Sequence, residues 1–535
     1  MDYSTFSSLD LHLHIHHLHK WLKVFSSLTL AIVLFKLIDF LCRVTYRLYL
    51  SSLRKFPGPR LAAISNVWEI YHSLTNDRFR AIHELHEKHG NVVRIGPNQL
   101  SVASPEVFHH VFVTKCSSFL KTDFYATIQP GIGPKYAGLF NCINHKQAMA
   151  ERRDLQPLFS PGSIKHYEAK FDEQLDILME VIKQRGKVDL FGLFKFFMLD
   201  VIGDLALNKS FGQVTSGKEH QYVVDFNNAF MLIGLQNTFA PVIPLIPYLP
   251  FKKLKDAYYG LRRVFSYAQE RVEDYLKQDM SKKQGSLMSG YLDPATGEPK
   301  DGYSAWSIAL AGHGFIVAGS EATSITLTYV IWMLIKRPDV DRRLRIELSS
   351  LGKSYSSSDL ASLPYLDAVI RETLRIYPPA PAPMPRVVPK SGFEFEGVSY
   401  PPDISVHGKF NKFQLQLTCQ QQTVISAQPY TIHRYEGVFE DPNEVRPERW
   451  LNVPPEKKDR MYRAFVPFSA GQRGCIGRGL AWMHIMKCIA RTLQEFDRFE
   501  LAEGMTDYDM DLIERGALAK PRSTKMWVNA YSKGV

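Results

Sequence analysis

The ten residues Phe468-Ser469-Ala470-Gly471-Gln472-Arg473-Gly474-Cys475-Ile476-Gly477 carry the densest set of chemistry-capable groups in the chain. A loop cysteine followed by the helix-like run Leu480 to Leu493 is placed to offer its sulfur to a metal. The amides after Cys475 point toward the sulfur and the following helix presents its positive end, so the thiolate is favoured over the thiol. Gly471 and Gly477 let backbone approach a flat cofactor, Arg473 meets a cofactor carboxylate, and Phe468 shields one face of the sulfur. Together these features describe a haem iron held by a thiolate, with Cys475 as the metal ligand. Without such neighbours a lone cysteine reads as an inert core residue.

Such a loop needs a rigid frame, and the sequence supplies helices for it. From Ser304 to Lys336 runs an apolar stretch far longer than an average helix, with Gly312, Gly314 and Gly319 inside it. It must be buried along much of its length, and its glycines mark places of close packing. Gly312-His313-Gly314 is not a dinucleotide loop, because position 317 is valine and no strand precedes it. A strand-like piece spans Val92 to Ile95 and helix dominates from there to Lys336, so the fold class is mainly α with a small β region.

Trp21 to Leu41 is long enough to cross a bilayer, at about 20 residues for ~30 Å of hydrocarbon. Lys23, Lys36 and Asp39 interrupt it near the ends, and its uninterrupted centre is Val24 to Phe35. Arg43, Arg47, Arg54, Lys55 and Arg60 follow as a positive flank that holds the carboxyl side in the cytoplasm. A cleaved signal peptide lacks support, since no small-residue cleavage site follows and the basic residues lie on the wrong side. The alternating His12, His14, His16, His17 and His19 carry adventitious metal affinity at most. Phe56-Pro57-Gly58-Pro59 breaks any helix and reads as a hinge. Residues 1–55 are accordingly tail and anchor, and residues 56–535 the catalytic domain.

Composition agrees with a folded enzyme at a membrane. Across 535 residues, 45% hydrophobic and 22% charged content excludes disorder. Six scattered cysteines exclude a disulfide framework and point to a reducing compartment. The net charge of +11 is dispersed, which suits an anionic membrane face or an acidic partner and argues against nucleic acid.

From Phe56 to its end the chain resembles the cytochrome P-450 (haem-thiolate monooxygenase) family. Glu372-Thr373-Leu374-Arg375 matches the E-x-x-R helix signature, and Pro447-Glu448-Arg449-Trp450 the segment whose arginine completes a buried, structural charge triad. The resemblance assigns Arg152, Arg386 and Arg473 to the haem propionates. Ala148 stands where the family places tryptophan or histidine four residues before the first of these, with His145 three residues earlier still. Ala318-Gly319-Ser320-Glu321-Ala322-Thr323 resembles the oxygen-activation motif, but Ala322 holds the place of the usual threonine. Glu321, Thr323 and ordered water are therefore expected to share the proton relay as catalytic groups. Lys121 to Asn141, with Phe124, Tyr125, Ile128 and Tyr136, resembles the variable substrate loop, and Pro379 to Pro385 the wall opposite. Pro241 to Phe251 with Lys252 and Lys253, too proline-broken for helix, dips into the membrane surface or forms a buried loop. Residues 403–422 exceed the family's pattern as a possible insertion, either a surface loop or a retained intron.

Arg94-Ile95-Gly96-Pro97-Asn98, Gly138-Leu139-Phe140-Asn141 and Asp200-Val201-Ile202-Gly203-Asp204 resemble the filamentous-fungal, secondary-metabolism branch. The resemblance implies the P-450 fold behind an amino-terminal transmembrane helix and a monooxygenase that inserts one oxygen atom from O2 into a lipophilic small molecule, such as a terpenoid or alkaloid intermediate. It implies haem b with Cys475 as axial thiolate, and NADPH and flavins acting only through a partner NADPH-cytochrome reductase. The implied site is the endoplasmic reticulum membrane, single-pass, with the catalytic domain facing the cytoplasm and membrane lipid as a partner. Two alternatives share the fold: a haem-thiolate enzyme that rearranges or dehydrates its substrate without a reductase, and a non-catalytic haem-binding protein.

Overall fold

In the computed structural model the long apolar stretch forms one helix, Ala305–Lys336, on which the other elements assemble. Residues 8–127, 138–228, 243–352, 354–404, 421–516 and 518–534 are described. Ser304 starts the helix with a reciprocal cap: its Oγ accepts from Ser307 N at 3.2 Å, and its own N–H donates to Ser307 Oγ at 2.8 Å. The helices Leu190–Leu207, Lys252–Leu276 and Arg478–Glu495 pack along it and bury most of its length. Gly319 permits the closest of these contacts, because a Cβ there would lie 2.8 Å from Ile202 Cδ1. The expectation of close packing fails at Gly314, where a Cβ would meet nothing within 4 Å.

The larger sheet has four strands in the order Val92–Gly96, Gln99–Val102, Val424–Ala427, Met384–Val387. Gln99–Val102 runs parallel to Val424–Ala427, and the other neighbours are antiparallel. Arg386 lies opposite Ile425 on the edge strand and forms a further bridge with Lys121. Before this sheet's third strand, Asp403 pairs with Gln422 and Ile404 with Gln421, so both ends of the extra segment meet as a hairpin stem. Residues 405–420 lie outside the described residues. A carboxyl-terminal hairpin pairs Leu512–Arg515 with Leu518–Pro521.

The amino-terminal helix runs Ser8–Thr45, and within His16–Leu50 an 18-residue stretch reaches a mean hydropathy of 2.0, as a membrane anchor requires. The segment around the expected hinge is tied to the body on both sides. Leu53 and Ser51 are buried, Arg47 Nη1 donates to Ile64 O at 2.6 Å, and Arg94 Nη1 donates to Arg47 O at 2.9 Å. Pro57 is equally fixed: its carbonyl accepts from Arg94 N at 2.7 Å. A Cβ on Gly58 would fall 2.1 Å from Arg94 O, so glycine is there for close approach of two backbones. Arg47, Ser51 and Leu53 thus also touch the catalytic body.

Within Pro241 to Phe251, residues 241 and 242 lie outside the described part, and Ile243–Tyr248 forms a short 3-10 helix despite its prolines. Leu245, Tyr248 and Phe251 are exposed, whereas Ile246 is buried against Ala257.

Candidate functional site

The cysteine loop is held by its own backbone. Cys475 N donates to Phe468 O at 2.9 Å, Gly474 N to Gly471 O at 3.0 Å, and Ser469 N to Val466 O at 3.0 Å. Ser469 (φ 54°) and Gly471 (φ 66°) turn it through the left-handed region. A Cβ at Gly471 would lie 2.2 Å from the Phe112 carbonyl oxygen. Gly471 therefore serves this turn and this close contact. At Gly477 a Cβ would meet Phe159 at 3.8 Å and Cys475 Sγ at 4.0 Å, ordinary contacts. Phe468 packs edge to face with Trp482, ring centroids 6.2 Å apart.

The Cys475 side chain is accessible although the surrounding chain desolvates it, as a thiol on the wall of an internal cleft would be. Burial pushes the thiol up, against the Gly477 N–H, Arg152 and Arg478, which pull it down. The expected net preference for thiolate is thus reversed in the protein alone. A coordinating metal deprotonates such a thiol outright.

Behind the loop stands a buried charge cluster. Glu372 accepts from Arg375 Nη2 at 2.7 Å, Arg449 Nε at 3.0 Å and Trp450 Nε1 at 2.9 Å. Burial would raise the Glu372 carboxyl, yet Arg375 and Arg449 hold it below its ordinary range. Arg375 also donates to the carbonyls of His433 and Glu444, at 3.0 Å each. His433 carries this order to the loop: its Nε2 accepts from Val466 N at 2.9 Å, so Nδ1 bears the proton and donates to Arg375 O at 3.2 Å.

Three cations meet beside the loop. Lys121 Nζ donates to Phe140 O at 2.6 Å, Arg386 Nη1 to Tyr125 Oη at 2.8 Å, and Arg473 Nη2 to the carbonyls of Leu139 and Cys142. Lys121 Nζ and Arg386 Cζ lie 4.3 and 5.4 Å from the Tyr125 ring centroid. Burial first, then Arg473 and Arg386, push the Lys121 ammonium well below its ordinary value. Burial and Arg386 lower Arg473 likewise. Among the described residues no ion pair is formed by these three, and Glu151, which feels Arg473, accepts from Tyr291 Oη at 2.8 Å. Cations that among the described residues are met by carbonyls, a tyrosine hydroxyl and rings, and by no carboxylate in an ion pair, fit a ligand that brings its own carboxylates, as haem does with two propionates.

Arg152 does not join them. Its Nη1 donates to Gly474 O at 2.8 Å, next to Cys475, so the trio is completed by Lys121 in its stead. Sequence reasoning placed Lys121 at the start of a substrate loop. Its only signal was a lysine in an otherwise aromatic run, and its bridge to Arg386 joins positions far apart in the chain. Phe124 and Tyr125 are described, whereas Ile128 and Tyr136 lie outside the described residues.

Across the cleft, Gly314, Phe315, Ala318, Glu321 and Ala322 form an accessible stripe along the otherwise buried long helix. Their spacing keeps them on one face. Thr323 is buried on the packed side, about 200° round the helix from Glu321. The shared relay expected of Glu321 and Thr323 is not assembled. Glu321 Oε1 instead accepts from Lys520 Nζ, on the carboxyl-terminal hairpin. That hairpin reaches the Pro379 to Pro385 wall, where Ala519 N donates to Pro379 O at 2.8 Å. Nothing in the sequence around Lys520 announced this role.

Curated relatives resemble nearly the whole chain. They include the "Cytochrome P450 monooxygenase tazI" of Aspergillus terreus, 29% identical over 91% of this chain and 95% of the relative. The "Averantin hydroxylase" of Dothistroma septosporum is 29% identical over 91% of this chain and 88% of its own. The "Cytochrome P450 monooxygenase orf2" of Aspergillus niger is 26% identical over 92% and 96%. All three are fungal, as the sequence motifs anticipated. The family model described as "Cytochrome P450" matches residues 56–527, and the chain, with its cysteine loop, buried Glu372–Arg375–Arg449 cluster and long central helix, belongs to the cytochrome P450 monooxygenases.

Proposed function

We propose that Cys475 Sγ would hold the iron of a haem b whose propionates Lys121, Arg386 and Arg473 would meet, and that the enzyme oxygenates a lipophilic secondary metabolite. The observation that carries this reading is the trio of cations, Lys121 and Arg386 buried and Arg473 half-buried, that forms no ion pair among the described residues, beside a cysteine whose sulfur is accessible. Bound haem supplies the activation of dioxygen, for the balance RH + O2 + NADPH + H⁺ → ROH + H2O + NADP⁺. The chain's own groups do the rest. The backbone of the loop and the Gly477 N–H hold the sulfur, while Arg386 and Arg473 orient the cofactor. The Ala318–Ala322 stripe leaves room for an apolar substrate beside Glu321, whose carboxylate orders the water that would carry a proton to the site.

Electrons come from NADPH through the flavins of a partner reductase on the endoplasmic reticulum. The amino-terminal helix spans that membrane once, with the catalytic domain in the cytoplasm. Leu245, Tyr248 and Phe251, with Lys252 and Lys253 beside them, give the body a second contact with lipid. A terpenoid or alkaloid intermediate is the substrate class proposed.

Two measurements test the proposal. The reduced, carbonyl-bound protein shows the red-shifted Soret band of thiolate ligation, and Cys475→His abolishes it; a variant that keeps the band removes Cys475 from the iron. Expression in reductase-containing yeast fed with candidate metabolites yields products heavier by one oxygen. Ala322 on the open stripe favours the alternative of rearrangement without a reductase, and NADPH-independent product formation would establish it.

A further inference from the structure

We propose that Lys520 is the positioning residue for Glu321 in proton delivery, taking the place of the hydroxyl that Ala322 lacks; this rests on the monooxygenase reading above. Glu321 lies on the accessible stripe of the long helix, and its carboxylate accepts from Lys520 Nζ in a largely buried pair. The following residue is alanine, and Thr323 is turned into the packed side, so this stretch of the stripe offers the carboxylate no hydroxyl. Lys520 comes from the carboxyl-terminal hairpin, which Ala519 N fixes to the cleft wall at Pro379 O.

The hairpin's other charges are committed elsewhere. Glu514 is paired with Arg78, Arg522 with Asp511, and Arg515 Nη2 donates to Arg522 O at 3.3 Å. Lys520 is the group that reaches across to the helix.

An ammonium carries three donors. One binds Glu321 Oε1, which keeps the carboxylate at the cleft, and two remain for water. Water held between the Lys520 ammonium and the Glu321 carboxylate passes a proton inward and is reprotonated from solvent, so both groups end the turnover as they began it. With the acid unheld, electrons leave by the unproductive balance O2 + NADPH + H⁺ → H2O2 + NADP⁺. Lys520 touches neither substrate nor cofactor in this scheme. It acts through Glu321.

The test uses the full-length, haem-loaded enzyme with reductase and the metabolite whose oxygenated product the yeast feeding yields. Lys520→Met raises peroxide released per NADPH by about threefold or more while KM stays within about twofold and the carbonyl band is unchanged. Lys520→Arg returns the peroxide fraction to near the parent value. Combining Lys520→Met with Glu321→Gln releases no more peroxide than Glu321→Gln alone. Thermal unfolding of the same four loaded proteins gives a readout free of turnover: the two substitutions are non-additive, because the groups are in contact. An unchanged peroxide fraction in Lys520→Met, a change in KM alone, or additivity in either measurement overturns the proposal. In each case the parent's carbonyl band and NADPH-dependent product leave the monooxygenase reading standing. Loss of those two in the parent defeats that reading first.

Discussion

Replacing Lys121 by methionine should move the haem-free and haem-loaded proteins in opposite directions. In the haem-free chain the ammonium is buried, and both Arg473 and Arg386 oppose its charge. Lys121 Nζ and Arg386 Cζ lie on the Tyr125 ring, 4.3 and 5.4 Å from its centroid. They are thus no more than about 10 Å apart, and two like charges at that separation repel by roughly 1.7 kcal/mol at an effective dielectric of about 20. The folded-state value of Lys121 is depressed, so the unfolded chain binds the proton more tightly below its ordinary value and the charge costs stability at neutral pH. Methionine keeps the packing against Tyr125 and Phe140 and removes that cost. The haem-free variant should unfold at a higher denaturant concentration, by the equivalent of about 1.5–2 kcal/mol. With haem bound, the same change removes a charge-assisted hydrogen bond to a propionate, worth about 1.5–3 kcal/mol, or roughly 10- to 150-fold in haem affinity. Haem transfer to a competing apoprotein measures the second quantity. A haem-free variant that is less stable, or one that releases haem at the parent rate, refutes the assignment of the trio to the propionates.

Three other outcomes follow from the same structure. Removal of residues 1–45 should leave the carbonyl spectrum and denaturation midpoint unchanged, whereas removal of residues 1–55 strips buried Ser51 and Leu53 and should destabilise the body by about 3 kcal/mol. Glu372→Gln should cost about 3–5 kcal/mol by leaving Arg375 and Arg449 uncompensated, against under about 1 kcal/mol for Asp367→Asn in the outlying pair with Arg371; equal denaturation midpoints in the two variants would show the triad to be dispensable. Burial lowers His83, His86 and His313 to about 4, and His433 and His484 to about 3. Their contribution is fully present above the unfolded value near 6.5 and is lost as pH falls toward the folded values, by about 1.4 kcal/mol per unit for each, partly offset by Glu151, Asp189 and Asp200, whose carboxyls burial raises; denaturation at pH 7.5 and 5.5 should show the loss, and equal midpoints would contradict it.

What could be read from the sequence was local. The cysteine loop is specified within ten residues, its capping helix follows at once, and the long helix announces itself by apolar length and by Ser304. Glu372 and Arg375 sit one helical turn apart, so two of the triad's three members are visible as spacing. The parts that were misread depend on residues distant in the chain. Pro57 and Gly58 look like a hinge until Arg94 is seen to bond one and crowd the other. Gly471 looks like a cofactor contact until the Phe112 carbonyl is found against it. Lys121 is marked only as a lysine among aromatic residues and Lys520 not at all, because what gives each its role is a strand or helix brought beside it by topology.

The two walls of the site are governed by different physics, and this separates what is constrained from what is free to vary. On the cysteine side, each residue satisfies several demands at once. Val466 N needs the neutral Nε2 of His433, His433 needs the Arg375 carbonyl, and Arg375 needs Glu372, so a change anywhere along the line leaves a buried donor or charge without its partner. The opposite wall is built from small side chains on one helical face, the proline-rich segment ending at Pro385, and a hairpin attached by a backbone hydrogen bond. Replacing Ala318 or Ala322 by a larger apolar residue strands no polar group; it changes the volume available above the cofactor plane. Substitution on the helix and hairpin side therefore costs little folding energy, while the cysteine loop is held fixed by a network that tolerates almost none. Glu321 and Lys520 are the exception on the variable wall, since each would leave the other as an unpaired charge in a mostly buried position.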